Sequence, residues 1–297
     1  LHRMNRKKLA IGILTYQRTD LLIDTLSDLE PIFDKVNIYI VNNNEDMCVK
    51  DDITSKFHSI DFEYIWYKKN LGVSEGRNQL ISKCKEEVIV LLDDDVRVPE
   101  PNKLYKEVIS EFNYNNNLGA LAFNIVDERT RTHNRFEIPH KNKAIDMNSD
   151  FQTYLIIGAG NAINVSKARQ VGNFPLDFGV YGFEEIDLAF RLINAGFLIK
   201  YKSNIKIIHR KSPDGRFSGE LVNYLYFVNR TRMAKRYFKR RYFITTFLAR
   251  GLFFLMKTRK LSLFFEASRV IFKDKKCQKF DKSFYEYIKS SKGFIWY

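Results

Sequence analysis

The sequence predicts an α/β fold built on a mostly parallel sheet, followed by a helical and strongly basic C-terminal extension. Three observations carry this. Short apolar runs of strand length alternate with helical stretches between Leu9 and Leu92. Polar residues cluster directly after those runs, at Thr15-Tyr16, Asn42–Asn44 and Asp93–Asp95. The charge is also divided: residues 228–297 hold 19 Lys/Arg and 4 Asp/Glu, a net of +15, within a whole-chain net of +14. The remainder is therefore close to neutral, and the two parts are expected to meet different partners. Strand–helix alternation implies parallel pairing through right-handed crossovers. Polar residues at the carboxyl ends of parallel strands converge on the edge where such sheets bind ligands.

Leu9–Leu14 reads as the first strand. Basic residues precede it, including Arg3 and Arg6, in a weak likeness to a signal peptide, but Gly12 interrupts the apolar run and no small-residue cleavage site follows. The polar turn Thr15-Tyr16-Gln17-Arg18 leads into a helix carrying Leu21, Leu22, Leu26 and Leu29, with Thr19 or Asp20 as the expected cap and Pro31 at its end. Val36–Val41 and Phe62–Tyr67 read as the second and third strands. Asn70-Leu71-Gly72-Val73 then turns into a helix from about Ser74 to Cys84.

Val88–Leu92 is an unbroken apolar run, the pattern of a strand buried on both faces, and it ends in Asp93, Asp94 and Asp95. Adjacent carboxylates repel, so they require hydrogen-bond donors, water or a cation nearby. Taken alone, the tract also fits a solvated acidic turn. Asn102–Asn115 looks helical and Leu118–Phe123 extended. Residues 127–150 are polar and irregular, with His133 and His140 expected on an exposed loop. Tyr154–Val165 is apolar around Gly158-Ala159-Gly160-Asn161, where glycine permits close approach of backbone to a ligand. Glu184, Glu185 and Asp187 occupy the first turn of a helix whose apolar face is Ile186, Phe190 and Ile193. The helix dipole alone would favour acids there. Gly196 closes that helix. Phe197–Tyr201 and Ile205–Ile208 read as two strands, with His209-Arg210 at the end of the second.

Several classes are disfavoured. Neither GxGxxG nor GxxxxGK[ST] occurs, against a dinucleotide dehydrogenase or a P-loop NTPase. Cys48, Cys84 and Cys277 show no metal-ligand spacing and no disulfide framework, so a reducing cytosolic setting is expected.

Together, Leu14-Thr15-Tyr16-Gln17-Arg18, the Val41–Asn44 loop, Asn70 to Asn78, Asp93–Asp95, the Glu184-Glu185-Ile186-Asp187-Leu188 helix start and His209 resemble a family 2 glycosyltransferase of the GT-A fold, in the family's order, over about residues 8–212. That family moves a sugar from a nucleotide-diphosphate donor, usually with inversion and with Mn²⁺ or Mg²⁺. The resemblance implies a catalytic domain over residues 1–218, with a nucleotide-sugar half at about 1–100 and an acceptor half at about 101–218. Asp93 and Asp95 would form the DxD motif. Asp95 would hold a metal that bridges the diphosphate, Asp93 would contact the ribose or a metal-bound water, and His209 would complete the metal shell. Thr15, Tyr16, Arg18, Asn42, Asn44, Gly72, Arg77, Asp93 and Asp94 would line the donor, and Gly160, Asn161, Gly182 and Phe183 the acceptor. Glu185 takes the place of the general base, with Glu184 and Asp187 as its alternatives. Asn42 stands where the family often has aspartate. This is a departure from the family's pattern, although an amide oxygen could still accept the N3–H of uracil or thymine; a UDP-sugar is the expected donor and a dTDP-sugar the second choice. A nucleotidyltransferase, releasing pyrophosphate, is the nearest alternative enzyme. A non-catalytic basic protein binding membrane or nucleic acid is the other alternative.

Residues 219–297 read as a basic, aromatic, helical tail. The run Phe243–Met256 contains Arg250 and is too short to span a bilayer. Arg and Lys interleaved with Phe and Tyr fit an interfacial helix on an anionic membrane. A homo-oligomer interface is the second reading, and nucleic acid the least favoured. The sequence therefore suggests a cytoplasmic protein held peripherally at the inner face of the cell membrane, acting on a glycan or lipid-linked glycan. The tail is expected to be separable at about residue 220, leaving the catalytic residues behind.

Overall fold

Strand β1 (Leu9–Thr15) pairs in parallel with β2 (Asn37–Asn42) on one side and β4 (Val88–Asp93) on the other, and β3 (Phe62–Trp66) pairs in parallel outside β2. The computed structural model describes residues 7–212 and 218–295. Arg3 and Arg6, ahead of β1, lie outside the described residues. Alternation along β4 divides two cores, as a doubly buried strand requires. Val88, Val90 and Leu92 join Leu9, Ile11 and Ile13 on one face, while Ile89 and Leu91 join Ala10 and Leu80 on the other. The register sets Leu14 beside Asp93 and Thr15 beside Asn42, so the polar strand ends share one edge.

The crossovers are α1 (Thr19–Leu29), α2 (Lys50–Lys56) and α3 (Gly72–Lys83). The cap expected of Thr19 or Asp20 is not made: Arg18 holds the cap position without a side-chain bond, and Thr19 Oγ1 lies 3.6 Å from Met47 Sδ. Pro31 sits in a 3₁₀ turn, Glu30–Ile32, that follows α1 directly. Helix α2 was not signalled by the sequence; it is short and buries only Ile53.

Beyond β4 come β5 (Val96–Arg97), α4 (Pro101–Tyr114), β6 (Leu118–Asp127), β7 (Phe151–Thr153), β8 (Gly160–Asn164), α5 (Val165–Gln170), α6 (Glu184–Asn194) and β9 (Leu198–His209). The sheet runs β3-β2-β1-β4-β8-β6-β9-β5, with β7 on β9. It is the mixed α/β architecture expected, parallel through its first four strands and again at β6/β9, with antiparallel pairs beyond. The two strands expected at 197–208 are one long strand, β9, which a register shift near Phe123 and Asn124 accommodates.

The tail folds into α7 (Gly219–Tyr237), α8 (Arg240–Thr258), α9 (Leu261–Lys273) and α10 (Lys282–Ser290). It is not a detachable appendage. Met233, Ala234, Tyr237, Phe238, Phe280, Phe284 and Ile288 belong to the same core as Phe174, Phe190 and Ile199. Arg236, 2% exposed, is held by Asp177 and Asp274, and Tyr287 OH donates to Thr153 O at 2.7 Å. His140 is likewise not on an exposed loop. It is buried, with Nε2 3.0 Å from Ser291 O, because the C-terminal segment covers it; His133 is half-buried, 2.7 Å from Asn124 Oδ1. Among the described residues no helix is long and apolar enough to cross a membrane.

A cut at residue 220 would strip one side of this core. Phe284 is fully buried and its ring stands 5.3 Å from Phe190 and 4.4 Å from Phe280. Phe284→Ala should therefore cost about 3–5 kcal/mol in chemical denaturation, the usual loss for a buried aromatic. A change within 0.5 kcal/mol, about that of a surface substitution, would mean the tail is energetically separate after all.

Candidate active site

The carboxyl edge gathers six acidic side chains around two arginines and a histidine. Each of the three adjacent aspartates has its own partners. Asp93, one-third exposed, accepts from Arg77 Nη2 at 3.1 Å. Asp94 is buried, accepts from Thr15 Oγ1 at 2.8 Å and Tyr16 N at 3.1 Å, and lies 3.2 Å from Arg18 Nη1. Burial pushes its pKa up to about 7 despite Arg18. Asp95, also buried, pairs with Arg18 Nη1 at 2.6 Å and accepts from Ser212 N at 3.1 Å. Burial works against its charged form, but His209 and Arg18 outweigh this and hold its pKa below the ordinary carboxylate value.

His209 reaches Asp95 because β9 ends there: its pairing with β5 sets His209 opposite Val96. Its Nδ1 meets Glu137, a residue of the 127–150 loop that sequence reasoning passed over and that also pairs with Lys211 at 2.8 Å. Burial disfavours the imidazolium, yet Asp95 and Glu137 together raise the pKa of His209 to about 10. With Nδ1 committed to Glu137, Nε2 faces Asp95 Oδ1 at 3.3 Å without hydrogen-bond geometry, which leaves that buried oxygen without a donor. Ligand atoms of Asp93, Asp95 and His209 lie within 4.8 Å of one another. Two hard carboxylate oxygens and a ring nitrogen that would release its proton to the cation, its other nitrogen held by Glu137, form a donor set that fits Mn²⁺ or Mg²⁺.

Arg77 links this cluster to α6. It is 4% exposed; Nη1 pairs with Glu185, and Nη2 donates to Asp93 and, at 3.1 Å, to Gly158 O. Burial opposes its charge, but Glu185, Asp93 and Glu184 hold its pKa above that of a free arginine. Gly158 is required by this packing: a Cβ there would stand 2.3 Å from Glu185 Oε1 and 2.8 Å from Arg77 Nη2. On α6, Gly182 (φ +100°) and Phe183 (φ +74°) are both left-handed and turn the chain so that the helix opens directly on Glu184 and Glu185. A Cβ at Gly182 would lie 3.0 Å from the Tyr226 ring of α7.

The three acids of α6 differ in exposure, and that separates them. Glu185 keeps 16% of its side-chain surface, Glu184 1% and Asp187 none. Asp187 is committed to Arg191, 2.5 Å away, and to Tyr237 OH at 2.8 Å, so it ties α6 to the tail instead of facing a substrate. Glu184 lies 4.0 Å from Arg77 with neither oxygen in a hydrogen bond, and burial with the adjacent Glu185 pushes its pKa up to about 8. One guanidinium cannot neutralise three carboxylates, and Glu184 is the one left protonated near neutrality.

Other expected ligand contacts are taken up internally. Asn42 Oδ1 accepts from Asn44 N at 2.9 Å and Asn44 Nδ2 at 2.7 Å, while its Nδ2 donates to Met47 O and Tyr64 OH. Asn42 and Asn44 thus knit their own loop, and the amide keeps no free lone pair for a base. Thr15 and Asp94 form a buried clamp between β1 and β4. Gly160 and Asn161 are paired within the sheet between β4 and β6, and Asn161 has no exposed surface, so neither reaches an acceptor. Gly72 opens α3, its carbonyl accepting from Asn43 Nδ2 at 3.1 Å. Tyr16, Arg18 and Phe183 remain partly exposed.

A chain with this edge also matches the glycosyl transferase family 2 profile, over residues 10–172. The chain belongs to glycosyl transferase family 2. An uncharacterised protein of Haemophilus influenzae is 32% identical to this transferase over 179 residues, 59% of the chain and 97% of that protein. Among solved structures, the mannosyltransferase PcManGT of Pyrobaculum calidifontis, in complex with GDP-Man and Mn²⁺, superposes with a TM-score of 0.59 at 14% identity, covering 90% of this chain and 74% of that one. Residues 1–349 of S. aureus TarS give 0.59 at 13% identity, covering 89% and 82%. GalNAc-T7 with UDP, GalNAc and Mn²⁺ gives 0.63 at 12% identity, covering 97% and 57%. At these identities the likeness is one of fold, and the fold is that of GT-A glycosyltransferases.

The protonated Glu184 has a measurable consequence. Its pKa of about 8 exceeds the 4.5 of the exposed side chain. Between those values the folded chain holds a proton that the unfolded chain has released, so stability falls as pH rises through that window. Glu184→Gln should remove that fall, gaining on the order of a few kcal/mol over the wild type at the alkaline end. Parallel stability–pH curves for the two proteins would show that Glu184 is ionised in the fold.

Proposed function

We propose that this transferase moves a sugar, with inversion, from a nucleotide-diphosphate donor to a hydroxyl of a glycan acceptor. The observation that carries the reading is the bridge from the Asp93, Asp95 and His209 cluster through Arg77 to Glu185, the only α6 acid with free surface. Asp93, Asp95 and His209 would hold Mn²⁺ or Mg²⁺. When bound, the cation would neutralise charge that builds on the departing diphosphate.

The protein's own groups supply the rest. Glu185 takes the proton from the acceptor hydroxyl as its oxygen forms the new bond to the anomeric carbon. The bond from that carbon to the diphosphate oxygen breaks, and the nucleoside diphosphate leaves with the electron pair. Arg77 fixes the direction of Glu185, and Gly158 leaves room for both. The neutral Glu184 behind them adds no second charge to the pocket. Tyr226 and Phe183, edge to face with ring centroids 5.5 Å apart, present flat apolar surface beside Glu185 on which an acceptor sugar would rest. With Asn42 occupied in its own loop, the donor base would be held by the exposed faces of Tyr16 and Arg18. UDP-sugar remains the favoured donor, since TarS and GalNAc-T7 are known with UDP.

Asp95→Ala should abolish transfer, because it removes the buried oxygen that has no donor of its own, while the fold persists because Arg18 keeps Asp94 and His209 keeps Glu137 as partners. Glu185→Gln should still bind donor but lose transfer by roughly 10²–10⁴-fold, the usual contribution of a general base. Near-wild-type turnover by either variant, measured as released nucleoside diphosphate, would overturn the corresponding role.

A further inference from the structure

The face of α8 turned away from α7 and α9 is apolar. Its inner side is buried as expected, with Phe254 clustered against Phe227, Val228, Ala267 and Ile271, and with Gly251 placed so that a Cβ would stand 2.9 Å from the Phe264 ring. On the outer side, Ile244, Leu248, Leu252 and Met256 recur every fourth residue at 45, 64, 62 and 64% exposure, with Phe253 beside them at 47%. That spacing puts them along one face. A helix apolar on both sides belongs in a buried setting, yet no described residue covers this one. Phe265 and Phe272 of α9 extend the apolar surface.

The surroundings are cationic. Residues 240–273 contain eight Lys/Arg and one acidic residue, Glu266, a net of +7. Arg240 and Arg241 flank the start of α8, and Lys257, Arg259 and Lys260 its end, all exposed. We propose that the α8–α9 hairpin docks flat on an anionic lipid bilayer. The Ile244, Leu248, Leu252, Met256 and Phe253 row enters the hydrocarbon boundary while the flanking Arg and Lys pair with lipid phosphates. The hairpin lies on the bilayer and does not cross it, since no described helix is long and apolar enough to do so. A second copy is the wrong occupant: a two-fold contact through this patch would set +7 against +7. This narrows the membrane expectation for residues 219–297, because α7 and α10 are spent on the protein core. Helix α7 carries both Phe227, inside the hairpin core, and Tyr226, at the rim beside Phe183. A bilayer under the hairpin would therefore sit at a fixed place relative to the acceptor side of the site.

The test is flotation of the full chain with phosphatidylcholine vesicles and with equimolar phosphatidylcholine–phosphatidylglycerol vesicles. Light scattering on the same samples reads the oligomeric state. Wild type should bind the anionic vesicles much more tightly than the neutral ones, and in high salt more weakly but still measurably. Leu248→Ser/Leu252→Ser/Met256→Ser changes only exposed positions, so its melting temperature should match wild type while its binding weakens on the order of 100-fold. Lys257→Glu/Arg259→Glu should weaken binding roughly tenfold or more and leave little salt dependence. The proposal fails if wild type ignores both vesicle types, or if the triple serine variant binds as well as wild type. It also fails if wild type is a dimer that this variant turns into monomer, which would make the face an interface between copies. None of these outcomes depends on sugar transfer, so the proposal stands or falls apart from that reading.

Discussion

The buried guanidinium of Arg77 is the interaction on which the rest of the site depends. It joins α3, the end of β4, the Gly158 turn and the start of α6 through Asp93, Gly158 O and Glu185. Removing a charge of this size from water costs several kcal/mol unless partners replace the solvent. Here carboxylates on two separate elements do so, which is why strand β4 and helix α6, about 90 residues apart in sequence, are fixed in one frame. Breaking such a pair from one side leaves unpaired charge behind, so the arrangement is stable only when all of its members are present. The same balance explains Glu184: the charge runs out after Asp93 and Glu185, and the third acid is left protonated.

Arg18 and His209 repeat this logic at the next position. Asp95 is buried, and its charge is sustained by a guanidinium from the β1 edge and an imidazole from the end of β9. Glu137 braces the imidazole from behind. The sheet makes this convergence possible, because the parallel pairing of β1 with β4 and the antiparallel pairing of β5 with β9 bring their polar ends together. The acidic tract is thus neither a solvated turn nor a bare metal cradle. Asp94 serves the scaffold, and Asp93 and Asp95 face the site.

Much of this was legible in the sequence. The alternation from Leu9 to Leu92, the three polar strand ends and the acidic start of α6 followed from periodicity and charge alone, and the family followed from the ordered set of short motifs. What the sequence could not separate was direction. Asn42, Asp94, Gly160 and Asn161 sit at the expected edge, but whether a polar group there turns to a ligand or into its own loop is a tertiary choice. Composition gives Asn42 no preference between uracil and Asn44. Glu137 was missed for the same reason, since it matters only through residues far away in the chain, and Gly158, expected to admit a ligand, lies instead against Glu185 and Arg77. The tail was misjudged as one unit. Its basic and aromatic residues look alike from Leu221 to the end, yet α7 and α10 bury their aromatics against α6 and β9, whereas α8 turns its aliphatic row outward.

The reaction proposed for this edge is metal-dependent sugar transfer from a nucleotide donor. The most direct measurement is a screen of UDP-, dTDP- and GDP-sugars with the full chain, scoring nucleoside diphosphate and pyrophosphate separately, with Mn²⁺ and with excess chelator. One class of donor should be consumed with release of its nucleoside diphosphate, and chelation should stop the reaction. Release of pyrophosphate, or turnover unaffected by chelator, would contradict it.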